Sequence, residues 1–271
     1  MCAQINISMR TLSSDFGLLS LVIPLYNEAQ NVAPLVAAID HALDKFTYEL
    51  ILVDDGSTDD TFKELHQLAH PNCIRIQLDK NYGQSVALAA GIDQAQGEYI
   101  ITLDGDLQND PADIPMMLQK AKNEDWDVVA GIRIQRKDPI LKIITSKIAN
   151  FIIRKSTKID VNDLGCALKV FTKTTAKNLK LYGGMHRFIL ILAHLNGARI
   201  TQVEVHHNAR TLGVSKYGLV RTFRVIKDLM VLLTVQNSKN KPLSVFGRWI
   251  LRNYNAAPLK TRYRIKDSTN K

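Results

Sequence analysis

The sequence predicts an α/β fold, a mostly parallel sheet flanked by helices. Three observations point to it. Short apolar runs recur through the first half of the chain, stretches of helical periodicity separate them, and the runs stop at polar or acidic residues. The 271 residues are 46% hydrophobic and 23% charged, an ordinary globular composition that excludes disorder, collagen and a disulfide scaffold. One large domain or two small ones fit that length.

Taken in order, Leu18–Tyr26 (LLSLVIPLY) reads as a buried strand with Pro24 marking its exit. Ala29–Leu43 has a helical rhythm that puts Val32, Leu35, Val36 and Ile39 on one face. Tyr48–Val53 is a second strand, stopped by Asp54-Asp55-Gly56-Ser57. Thr58–Ala69 follows as a helix capped by Thr58 or Asp59. Ile74–Leu78 alternates as a third strand, Ser85–Gln96 is helical, and Tyr99–Leu103 is a fourth strand ending at Asp104. Pro111–Asn123 is helical and Asp127–Gly131 is a fifth strand, with further strands at Leu168–Phe171 and Ile200–Val205. Ligands of such sheets sit at the carboxyl ends of the strands, where this chain concentrates its acids.

The texture changes after Arg133. Pro139–Thr157 and Tyr217–Val235 read as basic amphipathic helices, and the tail from Gln236 reads as basic and weakly structured. Charge divides with the texture. Residues 1–132 hold 7 Lys+Arg against 20 Asp+Glu (net −13), residues 133–235 hold 19 against 5 (net +14), and residues 236–271 hold 9 against 1 (net +8), which sum to the +9 of the whole. The acidic half suits a cation, and the basic half suits an anionic partner. Three cysteines, Cys2, Cys73 and Cys166, are an odd number without a CxxC pair, which argues for a reducing compartment and against a structural zinc. The longest stretches free of Asp, Glu, Lys and Arg, Phe16–Asn27 and Asn81–Ile92, fall well short of the ~20 apolar residues of a membrane span. Met1–Asp15 lacks the apolar core of a secretory signal.

The sharpest chemical feature is Asp104-Gly105-Asp106 directly after the fourth strand. In extended chain, residues i and i+2 point the same way. Two adjacent carboxylates repel unless a cation lies between them, and hard oxygen ligands suit Mg²⁺ or Mn²⁺, with Gln108 adding an amide oxygen. A solvated loop is the plain alternative. Val53-Asp54-Asp55-Gly56-Ser57-Thr58-Asp59 offers acid and hydroxyl groups to a nucleoside, or serves equally well as a helix-capping turn. Pro24-Leu25-Tyr26-Asn27-Glu28 offers an aromatic ring and an acid, or is a loop. The basic residues Arg133, Arg136, Lys142, Arg210 and Lys216 are candidates for phosphates, or a solvated face. His206, His207 and His186 have no metal-ligand spacing, and a structural role is expected for the pair. No P-loop, GxGxxG or GxSxG elbow occurs.

Together PLYNE (24–28), VDDGSTD (53–59), NYGQ (81–84), DGDLQNDP (104–111), AGIR (130–133), DLGCALK (163–169), HRF (186–188) and SKYG (215–218) resemble, in order, the GT-A glycosyltransferases of family 2. The resemblance runs from about Leu18 to Val235 and is strongest to the polyprenyl-phosphate glycosyltransferases. It implies a GT-A, Rossmann-like catalytic domain over 18–216. Residues 1–17 would form a leader, and residues 217–271 an amphipathic helix and tail lying at the membrane interface. It also implies a UDP- or GDP-sugar donor of hexose type, a polyprenyl-phosphate acceptor and inversion at the anomeric carbon. By resemblance, Pro24, Tyr26, Glu28, Asp54 and Asp55 cradle the nucleoside. Asp104, Gly105 and Asp106 meet the donor, with Asp104, Asp106 and Gln108 on the metal. Arg133, Lys142 and Ser146 lie by the acceptor phosphate, and Arg210 and Lys216 close on the donor phosphates. Lys142 stands where relatives carry Arg, so it keeps the charge without the bidentate fork.

Many relatives carry two membrane helices after the position of Val235, where this sequence continues with its basic tail. Basic amphipathic helices lie among lipid headgroups, each Lys or Arg near an anionic surface contributing ~1 kcal/mol. Peripheral attachment at the cytosolic leaflet is therefore expected, through an anionic membrane surface, a separate membrane subunit or a homo-oligomer. Nucleic acid is not expected, since no reader motif accompanies the charge. The rival reading is a soluble family-2 transferase acting on a saccharide hydroxyl in cell-surface glycan synthesis. That reaction calls for a carboxylate base. The QxxRW motif of processive synthases is absent, Val245 standing at its first position.

Overall fold

A computed structural model describes residues 15–133, 159–181, 183–208 and 263–269. The amphipathic helices expected over 139–157 and 217–235 lie outside the described residues, as do Lys142, Ser146, Arg210 and Lys216.

The described chain forms β1 (Leu19–Leu25), α1 (Val32–Ala42), β2 (Tyr48–Asp54), α2 (Thr61–Gln67), β3 (Cys73–Leu78), α3 (Gln84–Gln94), β4 (Tyr99–Thr102) and α4 (Ile114–Asn123). There follow β5 (Val128–Arg133), β6 (Lys169–Thr172), α5 (Lys173–Lys177), α6 (Ile189–Leu195), β7 (Ile200–Val205) and β8 (Ile265–Thr269). The eight strands make one sheet in the order β7-β5-β6-β4-β1-β2-β3-β8. The β1–β2, β1–β4, β2–β3 and β5–β7 pairs are parallel, whereas β6 runs antiparallel to β4 and β5, and β8 to β3. The sheet is therefore mostly parallel, as the alternating pattern predicts.

Successive strand residues bury on opposite faces, which is why the strands read as unbroken apolar runs. Leu21, Ile23, Leu50, Leu52, Ile101 and Val170 pack under α1 and α4. Val22, Ile51, Val53, Ile100 and Phe171 pack under α3 and α6. Both helical layers are thus bolted to the same strands, and the polar strand ends emerge together along one rim.

Three local expectations need correction. Pro24 lies inside β1, paired with Val53. The β4 ladder stops at Val22, and the backbone groups of even-numbered β1 residues face β4, so the missing N–H of Pro24 falls where no ladder bond is needed. The second helix starts at Thr61 rather than Thr58, because Asp59 accepts the Thr61 amide at 3.0 Å and spends the preceding residues on a turn. The tail is not uniformly without structure, since residues 265–269 add the eighth strand.

Gly91, on the buried face of α3, shows how closely that helix approaches the sheet. A Cβ there would lie 2.4 Å from Val22 Cγ1 and 3.1 Å from Val53 Cγ2. In an exposed helix, Gly→Ala gains about 1 kcal/mol. Here overpacking against two stiff β-branched side chains outweighs it, and Gly91→Ala is expected to destabilise by about 1–3 kcal/mol in urea unfolding. A gain in stability would show that α3 stands further off the sheet.

Candidate active site

The rim at the carboxyl ends of β1, β2, β4 and β5 gathers the chemically pointed residues. β1 delivers Pro24, Tyr26 and Glu28, β2 delivers Asp54 and Asp55, β4 delivers Asp104 to Gln108, and β5 delivers Arg133. The reversed strand β6 brings Lys169 to the same end from the opposite direction.

Asp104 and Asp106 are brought together, although not by extended alternation as expected. Gly105 and Asp106 form a turn, and Leu107 follows with φ 59°, an unusual conformation for a residue with a Cβ. Gly105 is needed for space, since a Cβ there would come 2.3 Å from Leu25 Cδ2. The Asp104 carboxyl is pushed up to about 6 by burial and then by the Asp106 charge, with Glu28 adding to the push while Lys169 and Arg133 oppose it. Gln84 at the start of α3 donates from Nε2 to Asp104 Oδ1 at 2.7 Å. Asp106 Oδ1 accepts the Gln108 amide at 3.2 Å. The side-chain Nε2 of Gln108 donates to the Asn208 carbonyl at 3.4 Å.

A divalent cation fits this donor set. Two crowded carboxylates, one of them held in a low-dielectric setting that disfavours its charge, are relieved by a positive ion, and their oxygens are the hard ligands that Mg²⁺ and Mn²⁺ take. Among the described residues no cluster of three or more His, Cys, Asp and Glu is arranged for a metal. Further ligands would therefore be an amide oxygen such as that of Gln108, water or oxygens of a bound ligand.

The loops that follow β1 and β2 are stitched into one surface. Asn27, itself at φ 55°, donates its amide to Ser57 Oγ at 2.9 Å and accepts the Thr58 amide at 2.8 Å. The Glu28 amide donates to Thr61 Oγ1 at 2.8 Å, and Asn31 Nδ2 donates to Glu28 Oε2 at 2.5 Å. Asp54 accepts the Ser57 amide at 3.1 Å, and its carboxyl is raised by burial against the pull of that bond. Asp55 accepts the Tyr82 and Gly83 amides at 2.7 and 2.8 Å, yet burial still pushes it up to about 6. The acids of this stretch hold turns together, and they also lie on the rim.

Two cations balance the acids. The Arg133 guanidinium forks onto Asp163, with Nε to Oδ2 at 2.7 Å and Nη2 to Oδ1 at 2.8 Å. Gly165 makes room for that fork, since a Cβ there would lie 2.8 Å from Arg133 Nη2. Lys169 is buried, donates to the Cys166 carbonyl, and has its ammonium pushed down by burial against the attraction of the Cys166, Asp104 and Asp163 groups. Sequence reasoning did not single out Lys169, Gln84 or Asp163. A lone charge between apolar neighbours, Leu168 and Val170, was the signal for Lys169.

The chain leaving β7 runs beside the acidic loop. His207 bridges Asn109, and the Asn208 amide donates to the Gln108 carbonyl at 2.8 Å. His206 has the structural role expected of it. Its backbone amide donates to Asp113 Oδ2 at 2.7 Å and its Nδ1 lies 2.9 Å from Asp113 Oδ1, which raises the imidazole pKa. The charged imidazolium is thus favoured by folding. Its contribution is complete below the unfolded value of about 6.5 and fades as pH rises through the raised folded value. The gap in melting temperature between the wild type and His206→Gln should accordingly narrow from about pH 6 to about pH 8. A gap that widens with pH would contradict the assignment.

Comparison with known proteins agrees with this geometry. The model of the glycosyl transferase family 2 matches residues 20–179. Over 237 residues the chain is 43% identical to the dodecaprenyl-phosphate galacturonate synthase of Rhizobium johnstonii, covering 84% of this chain and 70% of that protein. It is 37% identical over 229 residues to the undecaprenyl-phosphate 4-deoxy-4-formamido-L-arabinose transferase of Yersinia pestis, covering 83% and 70%. Among solved structures, glucosyl-3-phosphoglycerate synthase from Mycobacterium tuberculosis, in complex with Mn²⁺ and UDP-glucose, has the same fold. Its TM-score is 0.65 at 15% identity, covering 84% of this chain and 81% of that one. With the ordered motifs, the GT-A sheet and these relatives in agreement, the chain belongs to glycosyl transferase family 2.

Proposed function

We propose that the chain moves a hexose-type sugar from a UDP- or GDP-sugar to a polyprenyl phosphate, inverting the anomeric carbon. The observation that carries the reading is the crowded pair Asp104 and Asp106, set on the same rim as the linked nucleoside loops. The printed activities of the galacturonate synthase and the formamido-arabinose transferase, both named for polyprenyl-phosphate chemistry, support the acceptor. The Mn²⁺ and UDP-glucose of the mycobacterial structure support the donor class and a divalent ion.

In this reading Tyr26, Glu28, Asp54 and Asp55 hold the nucleoside, while Asp104, Asp106 and the Gln108 amide oxygen hold Mg²⁺ or Mn²⁺. When bound, the ion would neutralise charge on the leaving diphosphate. The other demands fall on the protein's own residues. A phosphate monoester has a second pKa of about 6 and is largely deprotonated near neutrality, so its oxygen attacks the anomeric carbon without a general base. What it needs is steering, and Arg133, held rigid by Asp163, supplies fixed positive charge on the rim. Lys142 and Ser146 are proposed beside it at the acceptor, with Arg210 and Lys216 on the donor phosphates. Attachment is proposed at the cytosolic membrane surface, through the basic residues of 217–271. No helix among the described residues is long and apolar enough to cross a membrane.

The test is transfer. The full chain, supplied with Mn²⁺, polyprenyl phosphate in vesicles and a panel of UDP- and GDP-sugars, is expected to label the lipid. Labelling should rise with anionic lipid and fall with salt. Asp106→Ala is expected to reduce the rate by about a hundredfold or more. Label appearing only on a free saccharide hydroxyl would overturn the acceptor assignment.

A further inference from the structure

We propose that the C-terminal strand β8 is a positioning element for the donor site, acting through the loop Asp79–Gly83. This rests on the nucleoside role given above to Asp55.

The strand contributes little to the core, since residues 265–268 are all exposed. Its place at the edge of β3 therefore calls for another explanation. It pairs antiparallel with β3 from Arg75↔Thr269 to Leu78↔Ile265, with the register shifting between Gln77 and Leu78. Just beyond that irregularity β3 gives way to the loop Asp79–Gly83, and the chain leading into β8 takes hold of it. The Asp79 amide donates to the Arg264 carbonyl at 3.1 Å. Lys80 Nζ lies 5.1 Å from the centre of the Tyr82 ring.

The opposite side of the same loop is the donor site. Backbone amides of Tyr82 and Gly83 are the two donors that orient the Asp55 carboxylate. The next residue, Gln84, holds Asp104. The loop also presses on the Asp54-Asp55-Gly56 turn so closely that a Cβ on Gly56 would sit 2.3 Å from the Lys80 carbonyl carbon. One short loop thus touches a nucleoside-side acid and a metal-side acid, and its outer face is closed by a strand from the far end of the sequence. The strand is itself moored, through Tyr263 to Asp93 at 3.3 Å and Asp267 to His66 at 3.4 Å. Anything that detaches β8 releases the amides that aim Asp55.

The experiment uses the full chain with Asp79→Pro, which deletes the amide that donates to the Arg264 carbonyl and keeps the Tyr82 and Gly83 amides. Calorimetry with Mn²⁺ and UDP or GDP is expected to show about three- to tenfold weaker binding, the loss of one or two hydrogen bonds. The KM for the nucleotide sugar should rise in step while kcat is unchanged, and amide hydrogen exchange over 80–83 should quicken. Tyr263→Phe combined with Asp267→Asn removes the two side-chain moorings of the strand and is expected to reproduce these effects, which keeps the test decisive if Asp79→Pro does not fold. Wild-type affinity and wild-type exchange in both variants would overturn the proposal. If the wild-type chain binds neither nucleotide, the donor reading of Asp55 fails, and the exchange measurement alone decides whether β8 fixes the loop.

Discussion

Repulsion between two carboxylates at the edge of a largely apolar sheet is the constraint around which this molecule is arranged. Asp104 is costly where it stands, because burial and the neighbouring Asp106 both work against its charge. The structure meets that cost with fixed groups, Gln84 donating from α3 and the cations Lys169 and Arg133 standing nearby. Those groups moderate the repulsion without abolishing it. The residual imbalance is what suits the rim to the divalent ion of the proposed reaction.

The architecture explains how such a site persists. Both faces of the sheet are covered, so the strand ends are rigid and the loops between them are short and cross-linked. Asn27 ties the first loop to the second, Asp55 ties the second to the third, and Gln84 ties the third to the loop that carries Asp104 and Asp106. Two of the three non-glycine residues with positive φ among the described residues, Asn27 and Leu107, lie in these loops. Backbone strain is therefore concentrated where the chemistry is read, supported by the packing beneath it.

Most of this was legible in the sequence, for a physical reason. A strand buried on both faces must be apolar throughout, so β1, β2 and β4 announced themselves, and the acids that end them had to lie at the carboxyl edge. What sequence could not give was contact between distant elements. Lys169 looked like part of a strand until β6 was seen to run backwards and bring it under Asp104. Nor could the fork between Arg133 and Asp163, thirty residues on, be read from spacing. The tail read as basic and loose because its edge strand is exposed, leaving no apolar pattern to detect. Pro24 misled for a related reason, since its tolerance depends on where the neighbouring ladder stops.

The split of charge between the acidic first half and the basic remainder has a simple counterpart in the proposed reaction, with a cation held on one side and an anionic acceptor drawn to the other. The central claim, an ion shared by Asp104 and Asp106, is open to direct measurement by anomalous scattering from crystals grown with Mn²⁺ and a nucleoside diphosphate. The account predicts one strong manganese peak within bonding distance of both carboxylates and of the diphosphate. An ordered nucleotide with its manganese away from Asp104 and Asp106 would contradict it.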